Sequence, residues 1–359
     1  MSALSVPLRR FADTHEPMSL TGPASSPASM LDEIPRGSKV LWVTSTGGHL
    51  AELNLIAERI QPSAGSRWVT FETAQSIDAL QDRPHLFVDY VSPRDVRAAV
   101  RAARKVLPLL RRERFDACVS TGAGVAATIL PLAAWTGIPT YYVESLARPH
   151  GPSTTGRILA HVPRVRTATQ YASWADSRWS YAGSILQDWS VEQGPVKEGP
   201  LKILVTLGTI APYRFDRAVD AVLSMLRPGD EVVWQLGSTS RTDLPGEVHE
   251  QVSVERLNAL SNAADVVVAH SGVGSVLQQF SLGKSPVLAV RRSGHQEHVD
   301  DHQTGLAETL AAHGLAGVLD LDQPSRQLLL EAASRTIVPP ASSFYPDLEL
   351  EPEAVADRS

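Results

Sequence analysis

At 359 residues, 43% of them hydrophobic, the chain is long enough for two domains of ordinary size with real cores. Its net charge of −6 argues against general nucleic-acid binding. A single cysteine, Cys118, excludes intrachain disulfides and cysteine-rich metal sites and fits a reducing cytoplasm.

Residues 1–37 are rich in Ser, Pro and Ala without sustained periodicity and read as a flexible tail. Arg9 and Arg10 are not followed by a long apolar run, so no signal peptide is expected. No apolar stretch anywhere approaches the roughly 20 residues that span a bilayer, which predicts a protein that is soluble or peripheral to a membrane. From Lys39 a regular alternation begins, with strands expected at 40–44, 68–71, 86–91, 117–120 and 140–143 and helices near 50–61, 94–112 and 123–136. That pattern predicts an α/β domain over 38–183: an open, doubly wound, mostly parallel sheet that binds ligands at the carboxyl ends of its strands. Three such ends carry small and polar residues: Thr46-Gly47-Gly48-His49, Ser120-Thr121-Gly122-Ala123-Gly124 and Glu144-Ser145-Leu146-Ala147-Arg148. They are expected to converge on one crevice.

Between residues 94 and 114 lie eight basic residues, Arg97, Arg101, Arg104 and Lys105 among them, against only Asp95 and Glu113. Val96, Ala99, Val100, Ala103, Val106, Leu107 and Leu110 fall on the opposite face. A basic amphipathic helix on an acidic chain suits an anionic membrane surface or a lipid diphosphate; a crossover helix with its arginines in solvent has the same pattern.

Gln193-Gly194-Pro195 and Glu198-Gly199-Pro200 mark a linker over 184–200. A second alternating domain is expected over 201–338, with strands at 203–206, 231–236, 252–254, 265–269, 286–290 and 316–319. An acidic, proline-containing tail follows over 339–359. The most informative stretch is 262–284. Val266, Val267, Val268 and Ala269 suit a strand buried on both faces. The period then changes, and Val273, Val276, Leu277 and Phe280 recur at helical spacing between Gly272 and Gly283. The intervening turn, His270-Ser271-Gly272-Val273-Gly274-Ser275, is made mainly of small residues at a helix N-terminus, where free N–H groups and the helix dipole favour an anion such as a phosphate. Gln278 lies on the polar face of that helix and can reach over the same site.

With His270 before the turn, Gln278 after it and Asp301-His302-Gln303 beyond the next strand, the segment resembles the donor-binding region of GT-B glycosyltransferases, whose two Rossmann-like domains face each other across a cleft. Many members have Glu where this chain has Gln278; Gln resembles instead the catalytic subunit of the two-subunit GlcNAc transferase of the dolichol pathway and its bacterial exopolysaccharide relatives. Thr46-Gly47-Gly48-His49 is similar to the first loop of the family 28 lipid-linked GlcNAc transferases of peptidoglycan synthesis and of the dolichol enzyme's anchoring subunit. The loops at 120–124 and 144–148 resemble that subunit too, and 202–209, ending in Gly208-Thr209, is similar to the opening of the catalytic subunit. The chain thus resembles both subunits fused, over roughly 38–335.

The resemblance implies an inverting transferase that moves GlcNAc, glucuronic acid or a related hexose from a UDP-sugar to a hydroxyl, on a polyprenyl-diphosphate-linked or other acceptor. The same donor chemistry on a soluble natural product and a non-catalytic nucleotide-sugar-binding protein are the alternatives. Donor-binding residues would be Gly208, Thr209, His270, Ser271, Gly272, Gly274, Ser275, Gln278, Asp301, His302 and Gln303. Acceptor-binding residues would be Thr46, Gly47, Gly48, Gly122, Gly124 and Arg148. Without an obvious Asp-x-Asp metal site, backbone N–H groups and hydroxyls are expected to carry the diphosphate; no cofactor is required and Mg²⁺ is compatible. His49 is the first choice for the base that takes the acceptor proton, with phosphate binding or helix capping as its other reading. Glu144 is the second, with pairing to Arg148 as its other reading. His295, Glu297 and His298 match no closed zinc pattern.

Overall fold

The computed structural model describes residues 29–340 apart from 93, 94, 188, 210 and 299–301. The first sheet contains β1 Val40–Thr44, β2 Arg67–Phe71, β3 His85–Val88, β4 Ala117–Gly122, β5 Thr140–Val143, β6 Val165–Thr169 and β7 Trp179–Tyr181. They pair in parallel in the order β3-β2-β1-β4-β5-β6-β7. Helices α1 Gly48–Ile60, α2 Ala74–Ala79, α3 Val96–Arg112, α4 Gly124–Trp135 and α5 Thr154–Leu159 lie among these strands in sequence. The two-residue period of β1 divides its side chains between two layers. Leu41 and Val43 join the core under α3 and α4, whereas Val40 and Trp42 join Leu50, Leu53 and Ile56 of α1 on the other face.

The chain then forms β8 Ser190–Gln193 and enters a second parallel sheet of β9 Lys202–Thr206, β10 Glu231–Gln235, β11 Glu247–His249, β12 Val266–His270, β13 Val287–Ala289 and β14 Gly317–Val318. Its order is β11-β10-β9-β12-β13-β14. Helices α6 Asp216–Met225, α7 Val254–Ala263, α8 Val273–Ser281, α9 His302–Ala312 and α10 Arg326–Ala333 accompany it, and β15 Arg335–Val338 closes the described chain. Numbered within its own domain, each sheet's first six strands run 3-2-1-4-5-6, the dinucleotide-binding order. The order reverses between β1 and β4 in one sheet and between β9 and β12 in the other.

Three expectations need correction. Residues 29–37 are not part of a loose tail: Met30, Leu31 and Ile34 are buried with Trp42 and Leu53, and the Ser29 hydroxyl donates to the Ala182 carbonyl at 2.5 Å. An isolated Met-Leu-x-x-Ile carries too little periodicity to announce a packed turn. The stretch 184–200 does not merely link: β8 pairs antiparallel with β15, and the Trp189 ring lies 5.5 Å from that of Phe280. The strand expected at 252–254 is instead β11 at 247–249, because Ser253 accepts from the Arg256 N–H and caps α7. The sequence reading also missed α2, α5, β6 and β7; the tail at 341–359 lies outside the described residues.

The two domains share apolar surface. Leu146 and Tyr171 of the first pack in one cluster with Val273, Leu277, Leu306 and Leu310 of the second, and the Tyr171 hydroxyl donates to the Leu146 carbonyl at 2.6 Å.

Candidate active site in the interdomain crevice

At each switch point a histidine at or beyond the end of one central strand lies against a glycine at or beyond the end of the other. In the first domain His49 follows β1, and its imidazole lies over Gly122 at the end of β4. A Cβ on Gly122 would come within 2.8 Å of the ring, and the φ of +129° there also favours glycine. The Thr121 hydroxyl donates to the His49 carbonyl at 2.8 Å, tying the β4 loop to the start of α1. In the second domain His270 ends β12, and its ring lies between Gly208, after β9, and Gly272; a Cβ on either would come within 3.0 Å and 2.5 Å of Nε2. The Ser275 hydroxyl is 3.4 Å from His270 Nδ1. Burial, and then the nearby Arg291 charge, hold the His270 imidazole down at about 4, so it is neutral near pH 7.

The two switch points face each other. Glycines at the first turns of α1 and α8 let the helix ends touch: a Cβ on Gly48 would lie 3.0 Å from Val273 Cβ, and one on Gly274 would lie 3.3 Å from the Gly48 nitrogen. Gly48 and Gly274 therefore serve domain contact as well as any ligand approach. Neither helix has a side-chain cap, Gly47 and Gly272 standing at the N-cap positions. Two sets of first-turn N–H groups thus meet at the crevice with their positive dipole ends together. The Gly47 peptide is held by Gln75 of α2, whose Oε1 accepts from the Gly47 N–H at 2.7 Å, a contact that no motif announced.

Beside this junction a cavity of about 420 Å³ is lined by Thr46, Phe71, Glu72, Thr73, Val88, Asp89 and Tyr90 at the carboxyl ends of β1, β2 and β3. Another, of about 360 Å³, lies between the loop carrying Arg148 and His150 and the Gly305 turn of α9. A Cβ on Gly124 would come within 2.9 Å of the Val91 carbonyl, so the glycine lets α4 approach that segment.

Several candidate side chains are engaged away from the junction. Glu144 is 1% exposed; its carboxylate accepts from the Tyr142 hydroxyl at 3.0 Å and from the Ser153 N–H at 2.9 Å, and burial raises its pKa. A carboxylate so enclosed organises the 144–153 loop and is poorly placed to receive a substrate proton. The Ser271 hydroxyl donates to the Gln303 carbonyl at 3.0 Å, and Gln303 Oε1 accepts from the Arg291 N–H at 3.4 Å. Gln278 Nε2 donates to Asn258 of α7 at 2.8 Å. Thr209 is exposed, and its carbonyl accepts from the Ser238 hydroxyl at 3.3 Å. Asp301 and the His302 side chain lie outside the described residues. Glu297 is held by Arg217 through two hydrogen bonds, of 2.9 and 3.2 Å. Asp320 Oδ1 accepts the Asp322 and Gln323 N–H groups of its own turn, so the Asp320-Leu321-Asp322 sequence is engaged in turn formation. Among the described residues no cluster of three His, Cys, Asp or Glu is arranged to hold a metal.

Sequence reasoning missed Glu52 and Arg291. Glu52 is completely buried on α1, one turn beyond His49; it accepts from the Ser145 hydroxyl at 2.6 Å and from Gln170 Nε2 at 3.3 Å, and burial pushes its pKa up to about 8. Its helical offset of three from His49 was the available signal. Gly237 was missed as well. It has φ +58°, and a Cβ there would strike the Gly208 carbonyl. Gly237→Ala is therefore expected to displace the Gly208-Thr209 loop and to cost about 1–3 kcal/mol of stability, measurable by urea denaturation.

Two dinucleotide-ordered sheets joined at their switch points, with a histidine on each side of the crevice, have the GT-B architecture of solved glycosyltransferase structures. MurG of Acinetobacter baumannii has this fold, at 19% identity and a TM-score of 0.50 over 82% of this chain and 94% of that one. So does the calicheamicin glycosyltransferase CalG4, at 20% identity and 0.51 over 83% and 90%. Residues 202–321 match the glycosyltransferase family 28 C-terminal domain. The chain is 27% identical over 330 residues to the UDP-N-acetylglucosamine--N-acetylmuramyl-(pentapeptide) pyrophosphoryl-undecaprenol N-acetylglucosamine transferase of Synechococcus sp. (strain WH7803), covering 84% of this chain and 88% of that protein.

Proposed function

We propose that the chain transfers a sugar, N-acetylglucosamine being the first candidate, from its UDP derivative to a hydroxyl of a polyprenyl-diphosphate-linked acceptor, with inversion at the anomeric carbon. The observation that carries this reading is the contact of Gly48 with the first turn of α8, which sets the two switch points against each other. The named activity of the Synechococcus relative supports the donor and the lipid carrier. The glycine loops and Gln278 support likeness to the two dolichol-pathway subunits joined in one chain.

In this reading the donor diphosphate lies against the Gly208-Thr209 loop and the first turn of α8, and the acceptor enters by the cavity at Thr46 and Tyr90. The acceptor oxygen attacks the anomeric carbon as the bond to the diphosphate breaks. His49 takes the acceptor proton, and UDP leaves with the electron pair. Backbone N–H groups and the Ser275 hydroxyl offset the charge that develops on the leaving group; no metal is required, and Mg²⁺ is compatible with the site. The neutral His270 holds the donor loop and can offer one N–H.

Docking to a membrane surface fits α3. Ala98, Ala102, Val106 and Leu110 bury one face of it, while Arg97, Arg101, Arg104 and Lys105 are exposed. Arg101 also pairs with Asp89 at 2.6 Å, at the rim of the acceptor cavity. Val96 and Tyr90 beside them are 71% and 67% exposed, an apolar tip next to cations. Among the described residues no helix is long and apolar enough to cross a membrane.

A thermal-shift panel of UDP, GDP, TDP and UDP-sugars tests the donor reading: selective stabilisation by UDP and one UDP-sugar is expected, and no shift at millimolar nucleotide contradicts it. Flotation with anionic liposomes tests the acceptor side. The chain should float, and replacing Arg97, Arg104 and Lys105 with Gln should abolish flotation; failure of the unaltered chain to float would favour a soluble acceptor.

A further inference from the structure

Arg291, two residues past the end of β13, is 0% exposed. Among the described residues its side-chain hydrogen-bond partners are backbone carbonyls. Nη1 donates to Tyr213 at 2.9 Å and to Glu297 at 3.0 Å, and Nη2 donates to Gly208 at 3.1 Å. Its guanidinium also lies 5.2 Å from the Phe215 ring centroid. Burying a charge in this way costs several kcal/mol, which a well-packed apolar side chain would avoid. The arrangement therefore calls for a reason other than stability.

The geometry supplies one. Gly208 and Tyr213 both lie in the loop between β9 and α6, and one side chain grips both. A trans peptide is planar with its C=O and N–H directed oppositely, so fixing the Gly208 carbonyl on Arg291 turns the Thr209 N–H to the other side. Thr209 itself is exposed. The cation also polarises the same peptide, strengthening its N–H as a donor. His270, the ring against Gly208, already feels the Arg291 charge.

We propose that Arg291 is a positioning residue of the donor site, a buried cation that sets the Gly208-Thr209 peptide to receive the diphosphate and biases the site toward that group's charge. This rests on the UDP-sugar reading above. Arg291 does not touch the ligand; it acts through the peptide it holds.

The test compares uridine, UMP and UDP binding by NMR titration to the unaltered chain and to Arg291→Met, Arg291→Gln and Arg291→Lys, with melting curves alongside. The neutral variants should lose about tenfold in UDP affinity while uridine affinity changes less than about twofold, and Arg291→Lys should retain most of the preference for UDP over uridine. Equal losses for uridine and UDP in a folded neutral variant, or an unchanged UDP affinity, would overturn the proposal. Should Arg291→Met not fold, Arg291→Gln, which keeps an N–H for the Gly208 carbonyl, carries the same comparison. If neither neutral variant folds, Arg291→Lys decides, and its losing uridine and UDP alike overturns the proposal. Failure of the unaltered chain to bind UDP is a different result, and it removes the donor reading itself.

Discussion

His49→Ala is expected to lower kcat by about 10²–10³-fold while leaving the Kd for UDP within about twofold, the signature of a lost general base. His49 stands at the switch point of the acceptor-side domain, its ring set by Gly122 and its backbone by Thr121, across the Gly48 contact from the donor helix. Removing the imidazole leaves the second domain's donor loops intact, so nucleotide binding has no reason to change. Turnover measured with saturating UDP-sugar, together with UDP titration, separates the two readings of this residue. A variant that loses UDP affinity and keeps its kcat would make His49 a phosphate ligand and end its assignment as base. Glu144→Gln offers the contrast: its carboxylate is occupied by Tyr142 and Ser153, so its effect should fall on stability of the 144–153 loop before it falls on proton transfer.

Glu52→Gln should make the protein more stable at pH 8, by roughly 4 kcal/mol, and should leave stability near pH 4 almost unchanged. The folded carboxyl titrates at about 8, far above the ordinary value of 4.5, because burial opposes its charged form. Between those values the unfolded chain releases a proton that the folded chain keeps. This group's contribution to stability is therefore fully present below about pH 4.5 and is lost as pH rises through about 8. Glutamine keeps an oxygen for the Ser145 hydroxyl and has no proton to lose. Urea denaturation at pH 4, 6 and 8 checks this, since the other titrating groups are common to both proteins and cancel in the difference. Parallel stability curves would mean that Glu52 is ionised in the folded chain.

The parallel α/β fold was legible where the signal was local. Fully buried strands announce themselves as runs such as Val266 to Ala269, and the change to helical period after Gly272 located α8 within a residue or two. The glycine turns after β1, β4, β9 and β12 were legible as places where backbone comes close to something. What they approach was not: at Gly122, Gly208 and Gly272 it is a histidine ring, and at Gly48 and Gly274 it is the other domain's helix. Apart from Gly272, which meets the ring two residues before it, these contacts join residues 62 to 226 positions apart, which no period encodes. The same limit hid Glu52, whose partners Ser145 and Gln170 come from distant loops, and Arg291, whose partners are backbone carbonyls with no sequence signature. Polar residues named from their position beside the site, Glu144, Ser271 and Gln303, proved to be bonded within the protein.

The most direct test of the account is UDP release from UDP-N-acetylglucosamine by the purified full-length chain, followed with and without a synthetic polyprenyl-diphosphate-linked sugar, with mass spectrometry of the lipid. Acceptor-dependent UDP release, matched by a lipid heavier by one N-acetylhexosamine residue, is the predicted result. UDP release that no lipid-linked acceptor accelerates, from this donor or any other UDP-sugar that binds, would contradict transfer to a lipid carrier.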